Sequence, residues 1–451
     1  MTDQQGKIRY AVQRGMDVAL SEYAPGRAVV IDKETYQIGG FYSFGSERPK
    51  GCLKIPARAF VDDANYLKQV QVCDSCEWFG IVTNEADKVD RCPFCGGHVK
   101  TSDRGLLKPW GFAPKNARSV PMHRLDEEFS TAQIPLYSTV TSDSSDMREV
   151  EGFCRVRCAV RENQQIVVVN KGPKGKGFQV CADCGAAVPG EDENALSHVG
   201  RPYRSYLNVG KCSHGDVRFV DLGFDFVTDM LVMEILLDDG RIDTQRGSLW
   251  LRRASQTLAE SVRLEICKKH YIEFTELATG YRLRNLAAAT AVDIYVYDNL
   301  SSGAGYSAAV QDALVEVLDG VRARLSSCDC EGACYNCLKH YRNQSVHALL
   351  DRNSALQLLE WGRTGCLPVA LSLEDQRRLV APLEEILAFR NISVLDAGGH
   401  LLLRASGLEL GLQVVPGMIS VQDKEGWVVL SDVSLKYDRP YALEKICSWF
   451  R

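Results

Sequence analysis

The spacing of hydrophobic positions changes several times along this chain, and each change predicts an element. From 248 to 267 the apolar residues Leu249, Leu251, Ala254, Leu258, Val262 and Ile266 fall at near-helical spacing, so a helix with one face turned inward is expected. Residues 226–237 and 291–297 are near-continuous apolar runs, the pattern of buried strands. The second run leads into the turn Asp298-Asn299-Leu300-Ser301-Ser302-Gly303-Ala304-Gly305-Tyr306, expected to open a long helix through about residue 325. Residues 354–363 read as a further helix. Upstream, 12–22 has helical character, the Ala24-Pro25-Gly26 turn follows, and 28–31 and 35–38 are short β-like runs. An apolar strand is expected at 166–169, after a Ser/Thr/Asp loop at 139–146.

From about Leu371 the pattern changes again. A helix carries Leu379, Leu383, Ile386 and Leu387 on its apolar side, short strands follow at 392–395, 401–403, 408–415 and 427–430, and a last helix ends the chain. The expected fold is mixed α+β and multi-domain, with zinc-ribbon insertions in an α/β core and a small C-terminal α+β unit. Its expected divisions are an N-terminal α+β segment at 1–70, a zinc ribbon at 71–100, a linker with a second knuckle at 101–220, the α/β core at 221–365 and the C-terminal unit at 371–451.

Composition narrows the function classes. A chain of 451 residues that is 45% hydrophobic can build real cores, which excludes a disordered or collagen-like protein. No apolar run approaches the ~20 residues that cross a bilayer. The longest, 231–237, contains Glu234, and the first residues lack the basic and apolar regions of a signal peptide, so a soluble cytoplasmic protein with no membrane partner is expected. A net charge of -5 argues against coating nucleic acid by bulk charge and leaves local basic patches.

The 17 cysteines change the picture most. In a reducing compartment clustered cysteines point to metal and scattered ones to buried packing. Cys73-x-x-Cys76 and Cys92-x-x-Cys95-Gly96-Gly97, with fifteen residues between the pairs, have zinc-ribbon spacing, and four protein ligands make a closed, structural site. Cys181-x-x-Cys184-Gly185 with Cys212-x-His214 offers three thiolates and an imidazole, with His198 as the reserve for the fourth ligand. Cys328, Cys330, Cys334 and Cys337 pack four thiols into ten residues; zinc is the first choice there, and an iron-sulfur cluster is the competitor. Of the rest, Cys52, Cys154, Cys158, Cys267, Cys366 and Cys447 are expected to be buried packing residues, and His123, His270 and His400 structural or exposed.

Three basic stretches are candidates for DNA contact: Lys171, Lys174 and Lys176 in a glycine-rich hairpin, the Arg252-Arg253 pair, and Lys339 with Arg342 after the third cluster. The hairpin lacks the order of a phosphate loop, and each stretch could equally be solvated surface.

The run Cys328-Asp329-Cys330 through Cys334-Tyr335-Asn336-Cys337-Leu338, with Tyr341-Arg342-Asn343-Gln344 and His347 to Leu350-Asp351-Arg352, resembles the signature of the MZB zinc-binding domain. That module forms the C-terminal part of mitomycin-repair DEAD/DEAH-box helicases and recurs in the zinc-binding partner subunit of DISARM phage-defence systems. Tyr297-Asp298 with Gly303-Ala304-Gly305-Tyr306 is similar to the family's glycine-rich turn, and Gly177-Phe178 with Cys181 and Cys184 to its earlier knuckle; the resemblance runs from Tyr10 to Gly362. Ser301-Ser302 departs from it, where relatives carry Pro-Gly. The resemblance implies Zn²⁺, DNA and a helicase. The chain has no Walker A motif and no Asp-Glu-x-His or Asp-Glu-Ala-Asp box, so it is expected to be a non-enzymatic accessory subunit that binds a DEAD/DEAH-box helicase in trans. The alternatives are a protein-interaction scaffold with structural zinc, and a nuclease in the C-terminal unit, where Glu409, Asp423, Lys424, Glu425 and Asp432 lie near short strands.

Overall fold

The computed structural model describes residues 10–42, 58–75, 78–115, 119–120, 136–137, 147–192, 195–200, 202, 212–245, 247–286, 288–299, 305–422 and 424–450. The 139–146 loop, Cys52, Cys76, His123, the 300–304 part of the glycine-rich turn and Asp423 lie outside them. The chain divides into two units, Met1–Ser142 with Asn163–Thr228, and Asp143–Glu162 with Asp229–Arg451. The strands Val156–Asn170 and Val217–Leu237 pass from one unit into the other.

In the first unit the helix is Met16–Glu22, shorter than the 12–22 pattern, because Gly15 is its N-cap. Ala28–Ile31, Glu34–Phe41 and Phe112–Pro114 form an antiparallel sheet. A second set runs in the order Ala187–Pro189, Phe178–Cys181, the start of Val217–Leu237, Gly105–Leu107, Leu67–Cys73, Phe79–Val82. Phe41, Phe60, Leu107, Phe178, Val180 and Leu222 fill its core. The expected 166–169 strand is the end of Val156–Asn170; the polar run Arg161–Gln165 hid its length from the sequence pattern.

In the second unit the helix Leu249–His270 starts at Ser248, whose hydroxyl accepts the Leu251 N–H, and ends at Tyr271 in the left-handed conformation. It packs on Leu277–Asn285, Thr290–Asp298 and the end of Val217–Leu237, through Leu251, Leu258, Val262 and Ile266 against Leu277, Val292, Ile294 and Val296. The expectation of a single inward face is corrected: Arg253, Gln256 and Glu260 are buried too, because the helices Leu314–Ser326 and Arg352–Thr364 cover its other side. The long helix expected after the glycine-rich turn is broken into Tyr306–Ala309, a 3₁₀ turn at Gln311–Ala313, and Leu314–Ser326.

The strand Leu277–Asn285 escaped the sequence pattern because Arg282 and Arg284 interrupt its apolar positions. Folding explains them. Arg282 Nε and Arg284 Nε lie 2.6 and 2.7 Å from Asp293, while Glu234 accepts from Arg284 and, at 2.9 Å, from Arg157 Nε. Burial pushes the Asp293 carboxyl up, but the two arginines outweigh it and hold it below the usual carboxylate range.

The C-terminal segment has its own core, in which Val380, Leu383 and Leu387 of the helix Leu373–Phe389 meet Leu401, Leu403, Leu412, Val428 and Leu430. Its sheet runs Ser393–Asp396, Leu401–Ala405, Leu408–Val415, Trp427–Ser431, with the last pair parallel, and Asp432–Tyr437 and Arg439–Ser448 complete it. Among the described residues no helix is long and apolar enough to cross a membrane.

Candidate metal centres

Zinc bound by four tetrahedral ligands at about 2.3 Å sets its sulfurs about 3.8 Å apart. A disulfide would bring them to about 2.05 Å. The cysteine clusters can be tested against those two lengths.

In the third cluster Cys328 and Cys334 Sγ are 3.6 Å apart, and Cys337 Sγ is 3.7 Å from both Cys330 and Cys334. These are zinc distances, and all four cysteines are free thiols. The cluster fills the turn between Leu314–Ser326 and the 3₁₀ stretch Tyr341–Leu349. Its backbone is held from outside. Arg352 donates through Nε to the Cys330 carbonyl at 2.6 Å, through Nη1 to Leu325 at 3.1 Å and through its N–H to Gly332 at 2.8 Å, and Asn353 Nδ2 reaches Glu331 O at 3.1 Å. The Asn336 N–H, foremost among its partners, draws the Cys334 thiol down to about 7, which eases loss of the proton that metal must displace.

The second cluster joins distant segments. Cys181 ends the strand Phe178–Cys181, and the positive φ of Gly185 lets its N–H turn back to the Cys181 carbonyl at 2.8 Å. Cys212 Sγ lies 3.7 Å from Cys181 Sγ, and His214 Nδ1 3.7 Å from Cys184 Sγ. His214 Nε2 meets the Val199 carbonyl at 2.8 Å, which fixes the ring with Nδ1 toward the thiols. His198 is exposed and stands outside the group, and it is His214 that joins the three cysteines in an arrangement that could hold a metal ion. Arg58 binds both halves of the knuckle, Asp183 at 3.0 Å and Asp216 at 2.8 Å, and the Ala182 N–H bonds Asp216 O at 2.9 Å. Sequence spacing gave no sign of Arg58, which lies more than a hundred residues upstream.

In the first cluster Cys73, Cys92 and Cys95 converge, with Cys73 and Cys95 Sγ 3.4 Å apart; Cys76 is outside the described residues. The N–H groups of Ser75, Phe94 and Gly97 point at Cys73, Cys92 and Cys95 from 3.3 to 3.4 Å, as in a knuckle that supports thiolates.

The remaining sequence candidates separate sharply. Cys158, Cys267 and Cys447 are buried as expected, whereas Cys154 and Cys366 are exposed, which corrects the packing assignment for those two. Arg253 is buried; its guanidinium lies 3.4 Å from the Tyr437 ring centre and donates to Ala348 O at 3.0 Å, so it faces no nucleic acid, while Arg252 beside it is exposed. Lys174, Lys176 and Arg342 are exposed, Lys339 is half-buried, and Lys171 is half-buried with its ammonium 5.9 Å from the Phe79 ring centre. The 171–177 hairpin is closed by Gly177 N–H to Lys171 O at 2.6 Å. Of the C-terminal acids, Glu409 pairs with Arg404 on the surface and Asp432 is buried beside Lys436, so these two are engaged separately. In the Tyr341-Arg342-Asn343-Gln344 run, Asn343 turns inward to Glu260 Oε2 at 3.1 Å and Leu338 O at 3.0 Å. Burial pushes the Glu260 carboxyl up, and Arg263 and Asn343 offset part of that.

Residues 253–338 match the family model described as MZB, the MrfA Zn-binding domain. Over 441 residues, 95% of this chain, the sequence is 29% identical to the Druantia protein DruE of Escherichia coli (strain UMEA 4076-1), and it spans only 23% of that protein's length. Two crystal structures of the DUF1998 helicase MrfA, one bound to DNA and one to DNA and AMPPNP, align at 10% and 8% identity over 76% and 77% of this chain and 31% and 29% of theirs, with TM-scores of 0.34 and 0.28. The third cluster lies inside the matched segment, and its donor set and spacing suit the zinc for which that family is described. Over residues 253–338, and by the donor set of the third cluster inside them, this chain resembles the MZB-type zinc-binding domain family.

Proposed function

We propose that the chain is the non-motor, zinc-bearing part of a helicase-based anti-phage defence or DNA-repair assembly, working in the cytoplasm, where it binds a DEAD/DEAH-box helicase in trans and adds contacts to DNA without catalysing a reaction. A DISARM-like partner subunit is the narrower form of this reading. The MZB match and the similarity to the Druantia protein DruE support the assembly. Closed four-donor clusters support a structural rather than a chemical role for zinc.

The observation that carries the DNA contacts is a contrast among cations. Arg58, Arg104, Arg157, Arg282 and Arg284 are all tied to carboxylates, but Lys174, Lys176, Arg252, Lys339 and Arg342 make no ion pair among the described residues. A cation without a carboxylate is ready to replace the counterions of a phosphate backbone. The test is fluorescence anisotropy of labelled single-stranded and duplex DNA over a salt series. Steep salt dependence, with a slope lowered by about one for each of Lys174→Ala and Lys176→Ala, is expected. Absence of binding at low salt, with co-elution of a helicase retained, would favour the scaffold reading; no co-elution and an unchanged ATPase rate would sink the partnership.

A further inference from the structure

The C-terminal segment and the third metal cluster meet at one side chain. The segment's own core is separate from the main one, but Tyr437, at the end of the helix Asp432–Tyr437, packs against the main core together with Met418 and Val433. The Tyr437 ring lies against the Arg253 guanidinium, 3.4 Å from ring centre to Cζ, and Arg253 is anchored on Ala348 O at 3.0 Å. The Tyr437 hydroxyl reaches Gly332, in the middle of the metal loop between Cys330 and Cys334. A Cβ placed on Gly332 would stand 2.6 Å from Tyr437 Oη, and the next atom it would meet is Leu350 O at 3.7 Å. Gly332 is not in a left-handed conformation. The backbone therefore does not demand glycine there, and the Tyr437 hydroxyl does.

The same loop has little freedom on its other side. Arg352 and Asn353 take the carbonyls of Cys330, Glu331 and Gly332. Were the metal lost, Arg352 and Asn353 would still hold those carbonyls, but the four thiols would no longer share a centre and the face at Gly332 on which Tyr437 rests would lose its fixed shape. Conversely, Tyr437 lifted from the loop removes the ceiling over Gly332.

We infer that Tyr437 is a positioning residue for the third metal loop, so that metal occupancy of Cys328, Cys330, Cys334 and Cys337 and docking of residues 371–450 onto the core are one coupled event. Each favours the other by the same factor, as linkage requires.

Hydrogen–deuterium exchange on the full-length zinc-loaded chain tests this, with a chelator added stepwise and peptides from 328–337 and 432–450 followed together. In the wild type the two peptides are expected to lose protection at the same chelator concentration. Tyr437→Ala is expected to expose 432–450 before any chelator is added and to raise the rate of zinc release from the 328–337 loop about fivefold or more, the lower end of ordinary coupling. Tyr437→Phe, which keeps the ring on Arg253, restores most of the retention, and Gly332→Val, which collides with the hydroxyl, reproduces the alanine phenotype. The inference is overturned if the 432–450 peptide stays protected in wild type after the 328–337 loop has opened, or if zinc release from Tyr437→Ala matches wild type. Should Tyr437→Ala fail to fold, the wild-type titration alone still decides.

Discussion

The second and third clusters offer the same number of donors but close the chain in different ways. Cys181 and Cys212 are 31 residues apart, so a metal there is a cross-link between distant segments. Cys330 and Cys337 are 7 apart, and the metal there shapes a turn. Loop-closure entropy alone separates the two by only about 1 kcal/mol, since each doubling of loop length adds about 0.6 kcal/mol. What remains when the metal goes matters more. The third loop keeps the hydrogen bonds from Arg352 and Asn353 and sits against a large core, whereas the second keeps Arg58 bridging Asp183 and Asp216, the Ala182 bond to Asp216 O, the end of one strand pair and only a small cluster around Leu196 and Val199. A metal site's importance to a fold thus depends on how much of the surrounding scaffold would hold its ligands without it.

The largest effect should come from breaking that contrast directly. Cys181→Ser and Cys334→Ser are each expected to remove one zinc per chain by elemental analysis. Cys181→Ser should abolish the cooperative unfolding transition of the first unit, because structural zinc supplies folding free energy outright. Cys334→Ser should leave the second unit's transition in place at a lower midpoint. Equal losses in both would show that outside support does not distinguish the sites. Next in size is Arg352→Ala. Hydrogen bonds from a charged donor contribute about 1.5–3 kcal/mol each when a partner is removed, so losing those to Cys330 O and Leu325 O should cost about 3–6 kcal/mol in urea unfolding. Arg352→Lys should recover little, since one ammonium cannot span two carbonyls in a fixed fork.

The contrast also explains what could be read from the sequence. Local relations were legible: the Cys-x-x-Cys pairs, the ten-residue third cluster, and the helix that begins at Ser248 and carries Leu251, Leu258, Val262 and Ile266. Relations made only by folding were not. Arg252 and Arg253 read as one basic patch, but neighbours on a helix point about 100° apart, and one went out while the other went in against Tyr437. The strand Leu277–Asn285 looked too charged to be buried because Glu234 and Asp293, which neutralise Arg282 and Arg284, belong to other strands. Cys154 and Cys366 looked like the other scattered cysteines, and nothing in their spacing revealed their exposure.

A smaller effect separates the two units by pH. Asp221, in the first unit, is 2% exposed, and burial pushes its carboxyl up to about 6 although Arg104 at 3.5 Å and Lys171 pull the other way. A carboxyl raised above its ordinary 3.8 favours the protonated folded state, so the stability it provides is full below about pH 4 and is lost as pH rises through about 6. Asp221→Asn should therefore match wild type at pH 4 and exceed it by about 1–3 kcal/mol at pH 7.5. The midpoint of the first unit should move, and that of the second should not. A gain at pH 4 as large as at pH 7.5 would show that titration is not its source.

The smallest expected effect is the one that sharpens the ligand assignment. His198→Ala should leave zinc content and melting temperature of the first unit unchanged, because His198 is exposed and its ring is absent from the donor group. His214→Ala should lose the metal, while His214→Cys should keep it, since four thiolates also complete a tetrahedral site. The cysteine variant still forfeits the bond to Val199 O, which orients the imidazole at 2.8 Å, and losing a hydrogen bond that orients a metal-binding ring typically changes metal affinity about 10- to 100-fold. Competition with a calibrated zinc chelator should therefore find His214→Cys loaded but weaker by about that factor. Undiminished affinity would mean that the ring's anchor on Val199 does not limit how tightly the second cluster holds its ion.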